Sequence, residues 1–220
     1  MSATHDSTIP STPLAAGVPA DALLARLAER FQAVRDPLDR WDLTVLVARE
    51  QMRDCLRFLR DEPDLRFDML LDVSGVDYLA FPGHRGARFA VQYPLKSTAF
   101  RHRIRVKVMV DENDCTVPSV HDLWKIADWC ERETWDQYGI VFAGHPNLKR
   151  LLNHHEFSGH PLRKDYPCQK RQKLSVNDPM DDQLEARLVA RGYTVVERGD
   201  RDLGTGAITH SAAVTPGATP

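Results

Sequence analysis

Two stretches of alternating apolar and polar residues constrain the fold of this chain more than any other feature. In ARFAVQYPL the apolar side chains fall at Phe89, Val91 and Tyr93, and in HRIRVKVMV they fall at every second position from Ile104 to Val110. Because successive side chains of a strand point to opposite faces, this alternation predicts two neighbouring, half-buried strands of a meander. The sequence therefore predicts a sheet with one face turned towards a core.

The polar face of the second stretch is basic. Arg103, Arg105 and Lys107 alternate with its apolar residues. Three cations on the outer face of a half-buried strand most often indicate a solvated surface. A face that binds anions or an acidic partner is the less frequent alternative.

Helical and strand spacings alternate between Pro19 and Val73. A first helix is predicted to begin at Pro19 and Asp21 and to end at Pro37, with an apolar stripe of Leu24, Leu27, Phe31 and Val34. A second helix, in REQMRDCLRFLRDEP, is predicted to bury Met52, Cys55, Leu56 and Leu59. Short strands are predicted before and after it, alternating at Leu43, Val45 and Val47 and at Phe67, Met69, Leu71 and Val73. A strand–helix–strand order leaves room for a parallel pair, which the meander would extend into a mixed sheet.

The longest helix is predicted within VHDLWKIADWCERETWDQY. Ser119 and Asp122 resemble a capping box at its start, and Gly139 stands where a left-handed residue commonly ends a helix. One face of this helix is predicted to comprise Leu123, Ile126, Ala127, Cys130 and Thr134. The tryptophans, spaced five and six residues apart, cannot share a face and are interpreted as core and interface anchors, at Trp124, Trp129 and Trp135.

Composition excludes several classes of protein. A content of 42% hydrophobic and 27% charged residues is typical of a soluble globular protein, and a net charge of −2 gives no global reason to expect a nucleic-acid partner. No apolar run reaches the roughly 18–20 residues that span a bilayer, and the first twenty residues do not resemble a targeting signal. The four cysteines lack the close pairs of zinc or iron–sulfur sites and are predicted to be reduced thiols, at Cys55, Cys115, Cys130 and Cys168.

After Gly139 the periodicity ends, and the segments GHPNLKR and GHPLRKDYP flank a His-His pair. The histidines lack the helical spacing of a zinc hydrolase, although folding could still assemble a site from His145, His154 and His160. The glycines permit positive φ angles, and each His-Pro step is biased towards extended backbone. The segment cannot form its own core, so the sequence favours docking on its own domain or on another chain.

The continuous stretch from Glu131 to Pro167 resembles the signature of the 30-kilodalton subunit family of respiratory complex I. The matching positions are Glu131, Arg132, Glu133, Asp136, Gly139, Ile140, Phe142, Gly144, His145, Pro146, Leu148, Arg150, Leu152 and all of GHPLRKDYP. The resemblance implies an α+β fold: a two-layer domain with a mixed β-sheet and helices on one face, followed by an extended C-terminal arm. The corresponding boundaries are 1–19 for a disordered lead, 20–143 for the domain, 144–175 for the arm and 176–220 for a polar, flexible tail.

The resemblance also implies a structural subunit with no active site and no cofactor on this chain. The iron–sulfur clusters, FMN, NADH and quinone would be bound by partner subunits. The chain's own partners would be peripheral-arm subunits, chiefly the quinone-site 49-kilodalton chain, known as the D subunit, and the cluster-bearing B and I subunits. Membrane contact would come only through the complex, on the cytoplasmic side of a bacterial inner membrane. Two alternatives stay open: a homologous subunit of an energy-converting hydrogenase-type complex, and a free-standing metal-dependent enzyme using the histidines.

Under the same resemblance, side chains of the long helix and of the arm are expected to form the subunit interface. The expected interface residues are Glu131, Arg132, Glu133, Asp136, Gly144, His145, Pro146, Arg150, Gly159, His160, Pro161, Leu162, Arg163, Lys164, Asp165, Tyr166 and Pro167.

Overall fold

A mixed β-sheet organises the chain, which is represented by a computed structural model describing residues 17–39, 42–167, 172 and 179–193. The elements in chain order are α1 (Ala20–Phe31), β1 (Val34–Arg35), β2 (Thr44–Leu46), α2 (Arg49–Asp61), β3 (Met69–Leu70), β4 (Ser74–Asp77), β5 (Phe89–Lys96), β6 (Arg103–Val110), β7 (Thr116–Pro118), α3 (Ala127–Tyr138), β8 (Val141–Ala143) and α4 (Pro179–Ala190).

The main sheet has the strand order β1-β2-β6-β5-β3, and β4 also pairs with β5. The predicted meander is confirmed, since β5 and β6 pair antiparallel along their whole length from Phe89↔Val110 to Lys96↔Arg103. The parallel pair is β2 with β6, so the two strands that flank α2 are not neighbours. β7 and β8 form a separate parallel pair that holds the chain on either side of α3.

The core lies between the sheet and the helices on one of its faces. Inward side chains of β5 and β6 are completely or almost completely buried, and so is the predicted face of α2, which comprises Met52, Cys55, Leu56 and Leu59. Burial raises the pKa of the Cys55 thiol to about 12. Within the described residues Cys55, Cys115 and Cys130 are free thiols, and Cys168 lies outside those residues.

The first helix is shorter than its apolar stripe predicted. It ends at Phe31, because Gln32 adopts a left-handed conformation with φ 52°, and its buried residues are Leu23, Leu27 and Phe31. Val34 belongs to the edge strand β1 and is 62% exposed. The expected stop at Pro37 was therefore wrong, since the left-handed residue ends the helix well before the proline.

The strand expected from Phe67 to Val73 is broken. Buried positions recur every third residue, at Phe67, Leu70 and Val73, whereas Met69 and Leu71 are exposed. The chain enters this segment through Arg66 at φ 43° and pairs with β5 over only two residues before β4 begins. Two short edge strands therefore replace one continuous strand.

The helix expected to be the longest, α3, has 12 residues against 13 in α2, so that expectation was wrong. It begins later than the capping-box pattern predicted, because tertiary contacts occupy the proposed cap. Ser119 Oγ donates to the buried Glu131 carboxylate at 2.6 Å, and Asp122 accepts from Arg53 at 2.5 Å. Residues 120–126 form turns, Ile126 is exposed rather than inward, and α3 starts at Ala127. The predicted left-handed end at Gly139 is confirmed, with φ 77°.

The described helices include none with the length and apolarity that crossing a membrane requires. The lead predicted for residues 1–19 lies outside the described residues except for its last three positions. Within the predicted tail, residues 179–190 form α4, whereas residues 194–220 lie outside the described part.

Candidate functional site

The first part of the predicted arm, residues 144–167, is called the arm below and runs from β8 along α3, with contacts between Asp128 and Tyr138. It contains no helix and no strand, but polar groups of α3 bind it at many points. Because an irregular backbone cannot satisfy its own hydrogen-bonding groups, these contacts determine the course of the arm.

The main anchor of the arm is the carboxylate of Asp136, which is fully buried. It accepts hydrogen bonds from the backbone N–H groups of Leu151, Leu152 and Asn153 at 3.0, 2.9 and 2.9 Å. Arg150 Nη1 and Asn153 Nδ2 add further bonds at 2.6 and 3.0 Å. Burial alone would raise the pKa of Asp136, but the bonds from Asn153, Arg150 and Leu152 outweigh it and lower the pKa to about 2.

Two arginines beside this anchor hold the arm in place: Arg150, which belongs to the arm, and Arg132, which belongs to α3. The guanidinium of Arg150 also donates to the carbonyl of Gly159 at 3.1 Å and lies over the rings of Trp135 and Phe157. Arg132 of α3 donates to the carbonyls of Lys149 and Arg150, both at 3.2 Å. Planar guanidinium groups thus connect α3 with separate backbone turns of the arm.

The second GHP segment caps the C-terminal end of α3. Its donors reach three successive carbonyl groups: His160 Nδ1 binds that of Asp136 at 3.0 Å, Leu162 N that of Gln137 at 3.1 Å, and Arg163 Nε that of Tyr138 at 2.6 Å. The last carbonyls of a helix lack intrahelical partners and carry partial negative charge, so these donors satisfy and stabilise that end. Burial lowers the pKa of His160, which favours the neutral ring.

Gly139 lets the arm approach this helix end closely. A Cβ atom at Gly139 would stand 2.6 Å from the His160 ring and 2.8 Å from Arg163 Nη2, at a φ of 77°. At Gly144, φ is 83° but nothing lies within 4 Å of such an atom.

We expect Gly139→Ala to lower the free energy of unfolding by about 2–3 kcal/mol, because backbone strain and displacement of the arm combine. Gly144→Ala should cost about 1 kcal/mol, since it introduces backbone strain alone. Urea unfolding of both variants measures the difference, and equal losses would contradict the close contact at Gly139.

The far end of the arm is fixed to the sheet through Arg88 and Asp77. Arg88 binds Asp77 with Nε and Nη2 at 3.2 and 3.0 Å, and it binds Asp165 at 2.7 Å. The backbone N–H of Lys164 also donates to Asp77, at 2.8 Å. Burial alone would raise the pKa of Asp77, but these bonds outweigh it and lower the pKa.

His145 and His160 hold backbone groups, whereas both ring nitrogens of His154 are buried without a hydrogen-bond partner among the described residues. His145 Nε2 donates to the carbonyl of Asp128 at 3.1 Å and its Nδ1 accepts from Asn147 N at 3.1 Å, so both ring nitrogens are engaged. The ring of His154 lies edge-on to Phe157. Within the described ranges, no three His, Cys, Asp or Glu side chains are grouped so that they could hold a metal ion.

The expected interface residues divide into inward and outward groups. Glu131 is fully buried, accepts from Ser119 Oγ and Val120 N, and has its pKa raised to about 7 by burial. Glu131 and Asp136 therefore expose no carboxylate surface to another protein, and Arg132 is 9% exposed. The half-buried positions are His145, Arg150, His160, Pro161, Arg163 and Tyr166. The outward group comprises Glu133, Gly144, Pro146, Gly159, Leu162, Lys164, Asp165 and Pro167.

Apolar side chains are prominent on the outward side. Leu152 is 63% exposed and Leu162 is 49% exposed, although the backbone of each is bound to α3. Trp129, on the outward face of α3, is 61% exposed. The chain thus presents fixed apolar side chains at its surface, which is common at protein interfaces.

Sequence reasoning missed Asp77, Arg88 and Asn153. None of the three belongs to a motif, and Asp77 and Arg88 lie far ahead of the arm in the chain. The one available signal is Asp77 itself, an acidic residue at the end of a strand that the sheet buries.

Comparison with known proteins gives one consistent result. Residues 45–172 match a sequence model of the family described as respiratory-chain NADH dehydrogenase, 30 Kd subunit. The C subunit of the NADH-quinone oxidoreductase of Acidithiobacillus ferrooxidans is 48% identical over 132 residues, which is 59% of this chain and 65% of that protein. That of Roseiflexus castenholzii is 52% identical over 128 residues, which is 58% and 71% of the two chains. The chain thus spans slightly less than two thirds of the first relative.

Solved structures agree with the fold. A trypsin-resistant fragment of Nqo5 is 33% identical with a TM-score of 0.53, and the match covers 59% of this chain and 100% of the fragment. A chain of the membrane-bound sulfane sulfur reductase, an archaeal respiratory membrane complex, has the same TM-score at 21% identity, covering 83% and 95%. At that identity the likeness concerns the fold alone.

Proposed function

This chain belongs to the 30-kilodalton subunit family of respiratory-chain NADH dehydrogenase, and we propose that it serves as a peripheral-arm subunit of a proton-translocating NADH:quinone oxidoreductase. Its role in that enzyme is structural: it holds neighbouring subunits and contributes no active site. The names of its relatives, each the C subunit of an NADH-quinone oxidoreductase, support this proposal.

The observation that carries the proposal is the arm, which is fixed on its inner side and exposes two leucine side chains on its outer side. Asp136, Arg150 and the cap on α3 fix its backbone. A segment whose conformation is fixed before binding loses little conformational entropy when it docks. The exposed side chains of Leu152 and Leu162 then supply the apolar contact.

Within this proposal the arm docks on the quinone-site 49-kilodalton subunit, beside the cluster-bearing B and I subunits. Partner subunits of the complex carry the iron–sulfur clusters, FMN, NADH and quinone, and this chain carries none. The complex places the chain on the cytoplasmic side of the bacterial inner membrane. The outward residues of the arm make the contacts, whereas Asp136 shapes the arm from inside.

We expect the tagged chain, extracted with mild detergent from its native host, to comigrate with NADH dehydrogenase activity on a native gel. The companions, identified by mass spectrometry, should include the quinone-site subunit. Migration as a single soluble chain would contradict the proposal. If the companions belonged to a hydrogenase-type complex, the electron donor would not be NADH, but the docking role of the arm would be unchanged.

The docking role of the arm is tested by Leu152→Asp and Leu162→Asp. Each should reduce the amount of assembled complex at least about tenfold, because a buried interface would gain an unpaired charge. Leu79→Asp is the matched control, since Leu79 is 54% exposed and lies outside the arm. If both arm variants assembled as well as this control, the arm would not be the docking segment.

A further inference from the structure

The outer face of β5 and β6, on the side of the sheet away from the helices, carries a second surface that the arm does not explain. Arg103 and Arg105 alternate along β6 with the buried Ile104 and Val106 and therefore point outwards. Lys96 of β5 is the cross-strand partner of Arg103 and points to the same side. We call Lys96, Arg103 and Arg105 the basic face.

Of the three cations on the outer side of β6, Lys107 has an ion-pair partner, whereas Arg103 and Arg105 have none among the described residues. Lys107 pairs with Asp36 at 2.7 Å, and both side chains are 6% exposed. The three cations of the basic face form no ion pair with any residue in the described part of the chain, although Arg105 attracts Asp36 from a greater distance. The expectation of a fully solvated row therefore fails for Lys107, while the other cations stay available.

The arrangement of the basic face carries an energetic cost in the isolated chain. Lys96 and Arg103 are directly opposite each other in register, and like charges in that position destabilise a sheet. An opposing carboxylate would convert this repulsion into attraction. The position of the three cations thus favours an anionic partner.

Neighbouring apolar groups indicate what kind of anion fits. Pro94 is the cross-strand partner of Arg105 and Leu46 that of Lys107, so both lie on the same outer side, and both are partly exposed. An extended peptide repeats its side chains on one side about every 6.6–6.8 Å, which is also the spacing of Arg103 and Arg105 along β6. A surface that mixes cations with apolar side chains suits a peptide better than a phosphate backbone.

We propose that the basic face binds an extended acidic segment of a neighbouring protein, with carboxylates on alternate residues facing Arg103 and Arg105. This docking surface is separate from the arm. It gives the chain a second contact, which uses charge where the arm uses apolar side chains.

The test is zero-length carbodiimide cross-linking of the native assembly, which joins a lysine only to a carboxylate in direct contact. Wild-type chain and the charge-conserving variants Arg103→Lys and Arg105→Lys are purified in their assembly and treated. We expect the positions 96, 103 and 105 to be joined to Asp or Glu residues of one extended segment in another protein. No cross-link from these positions to another protein would overturn the proposal, and so would a contact that nuclease treatment removes.

Charge reversal provides the quantitative part of the test. Arg103→Glu combined with Arg105→Glu should reduce retention in the purified assembly about tenfold, whereas the two lysine substitutions combined should retain it. Arg85→Glu combined with Lys125→Glu changes the net charge equally at exposed cations elsewhere and should have no effect. Equal losses from both reversals would overturn the proposal. The identity of the companions tests the proposed function separately, because an acidic cross-link could occur in any assembly.

Discussion

Replacing Asp136 by alanine is expected to lower the free energy of unfolding by about 3–5 kcal/mol and to detach the arm from α3. The carboxylate is fully buried, and its removal leaves the Arg150 guanidinium without its ion-pair partner. It also leaves the N–H groups of Leu151, Leu152 and Asn153 without an acceptor. Uncompensated groups of this kind account for the largest losses that single substitutions produce.

The same carboxylate predicts a particular pH dependence. The pKa of Asp136 is about 2 in the folded chain and 3.8 in the reference state. Because the folded value is the lower one, its contribution is fully present above pH 3.8 and is lost as the pH falls towards 2. The shift corresponds to about 2 kcal/mol of unfolding free energy. In Asp136→Ala, the free energy of unfolding should therefore fall by about 2 kcal/mol less than in the wild type as the pH is lowered from 7 to 2.

Urea unfolding at pH 7 and at pH 3 measures both effects, and trypsin cleavage after Lys149 and Arg150 reports on the arm. The matched control is Glu133→Ala, on the exposed side of the same helix, which should change stability by less than about 0.5 kcal/mol. If Asp136→Ala cost no more than this control, the arm would not depend on its buried anchor.

Strands and helices with a strict apolar period could be predicted from the sequence. The meander and α2 are found where their spacing placed them, because burial of one face dominates their energetics. The start of α3 could not be predicted, since Ser119 binds a glutamate twelve residues ahead and the N–H group of His121, rather than the N–H group of Asp122 that a capping box requires. Such a contact depends on the tertiary fold, which local spacing does not report.

The candidate site, too, could be predicted from the sequence only in part. The glycines and His-Pro steps indicated a segment without a core of its own that docks on its own domain or on another chain, and the contacts with α3 confirm the first of these. Sequence alone did not show that Asp136 and Glu131 face inwards, because a charged residue in an amphipathic helix normally indicates the solvent side. Here the arm supplies the hydrogen-bond donors that permit Asp136 to be buried, and most of them are backbone N–H groups, which a sequence does not single out.

Arg88→Met is expected to cost about 3–5 kcal/mol at pH 7, although it preserves most of the side-chain volume. The Asp77 side chain is fully buried, and Arg88 neutralises it with two hydrogen bonds. Arg88 also binds Glu112 and Asp165, so its loss leaves three carboxylates close together. Removing the cation of a buried pair leaves an uncompensated charge, which costs more than the pair contributes.

The pH dependence of this variant distinguishes the buried charge from lost packing. Without Arg88, we expect the folded-state pKa of Asp77 to rise above its unfolded value, because burial and the neighbouring carboxylates are then opposed only by the backbone N–H groups of Lys164 and Leu79. The stability of Arg88→Met should therefore be greatest at low pH and should fall as the pH rises through that pKa, so the deficit shrinks towards pH 4. A deficit that stayed constant between pH 4 and pH 7 would indicate lost packing instead.

Asp165→Asn is the matched control for Arg88→Met, because it removes an arm carboxylate from the same guanidinium at a side chain that is 52% exposed. We expect it to cost less than about 1 kcal/mol, as exposed ion pairs do. Combining Arg88→Met with Asp77→Asn should recover part of the loss, since the buried charge is then absent. If the single and double substitutions were equally unstable, neutralisation of the Asp77 charge would not be the reason that Arg88 stabilises the fold. The end of the arm would then depend on apolar contacts alone.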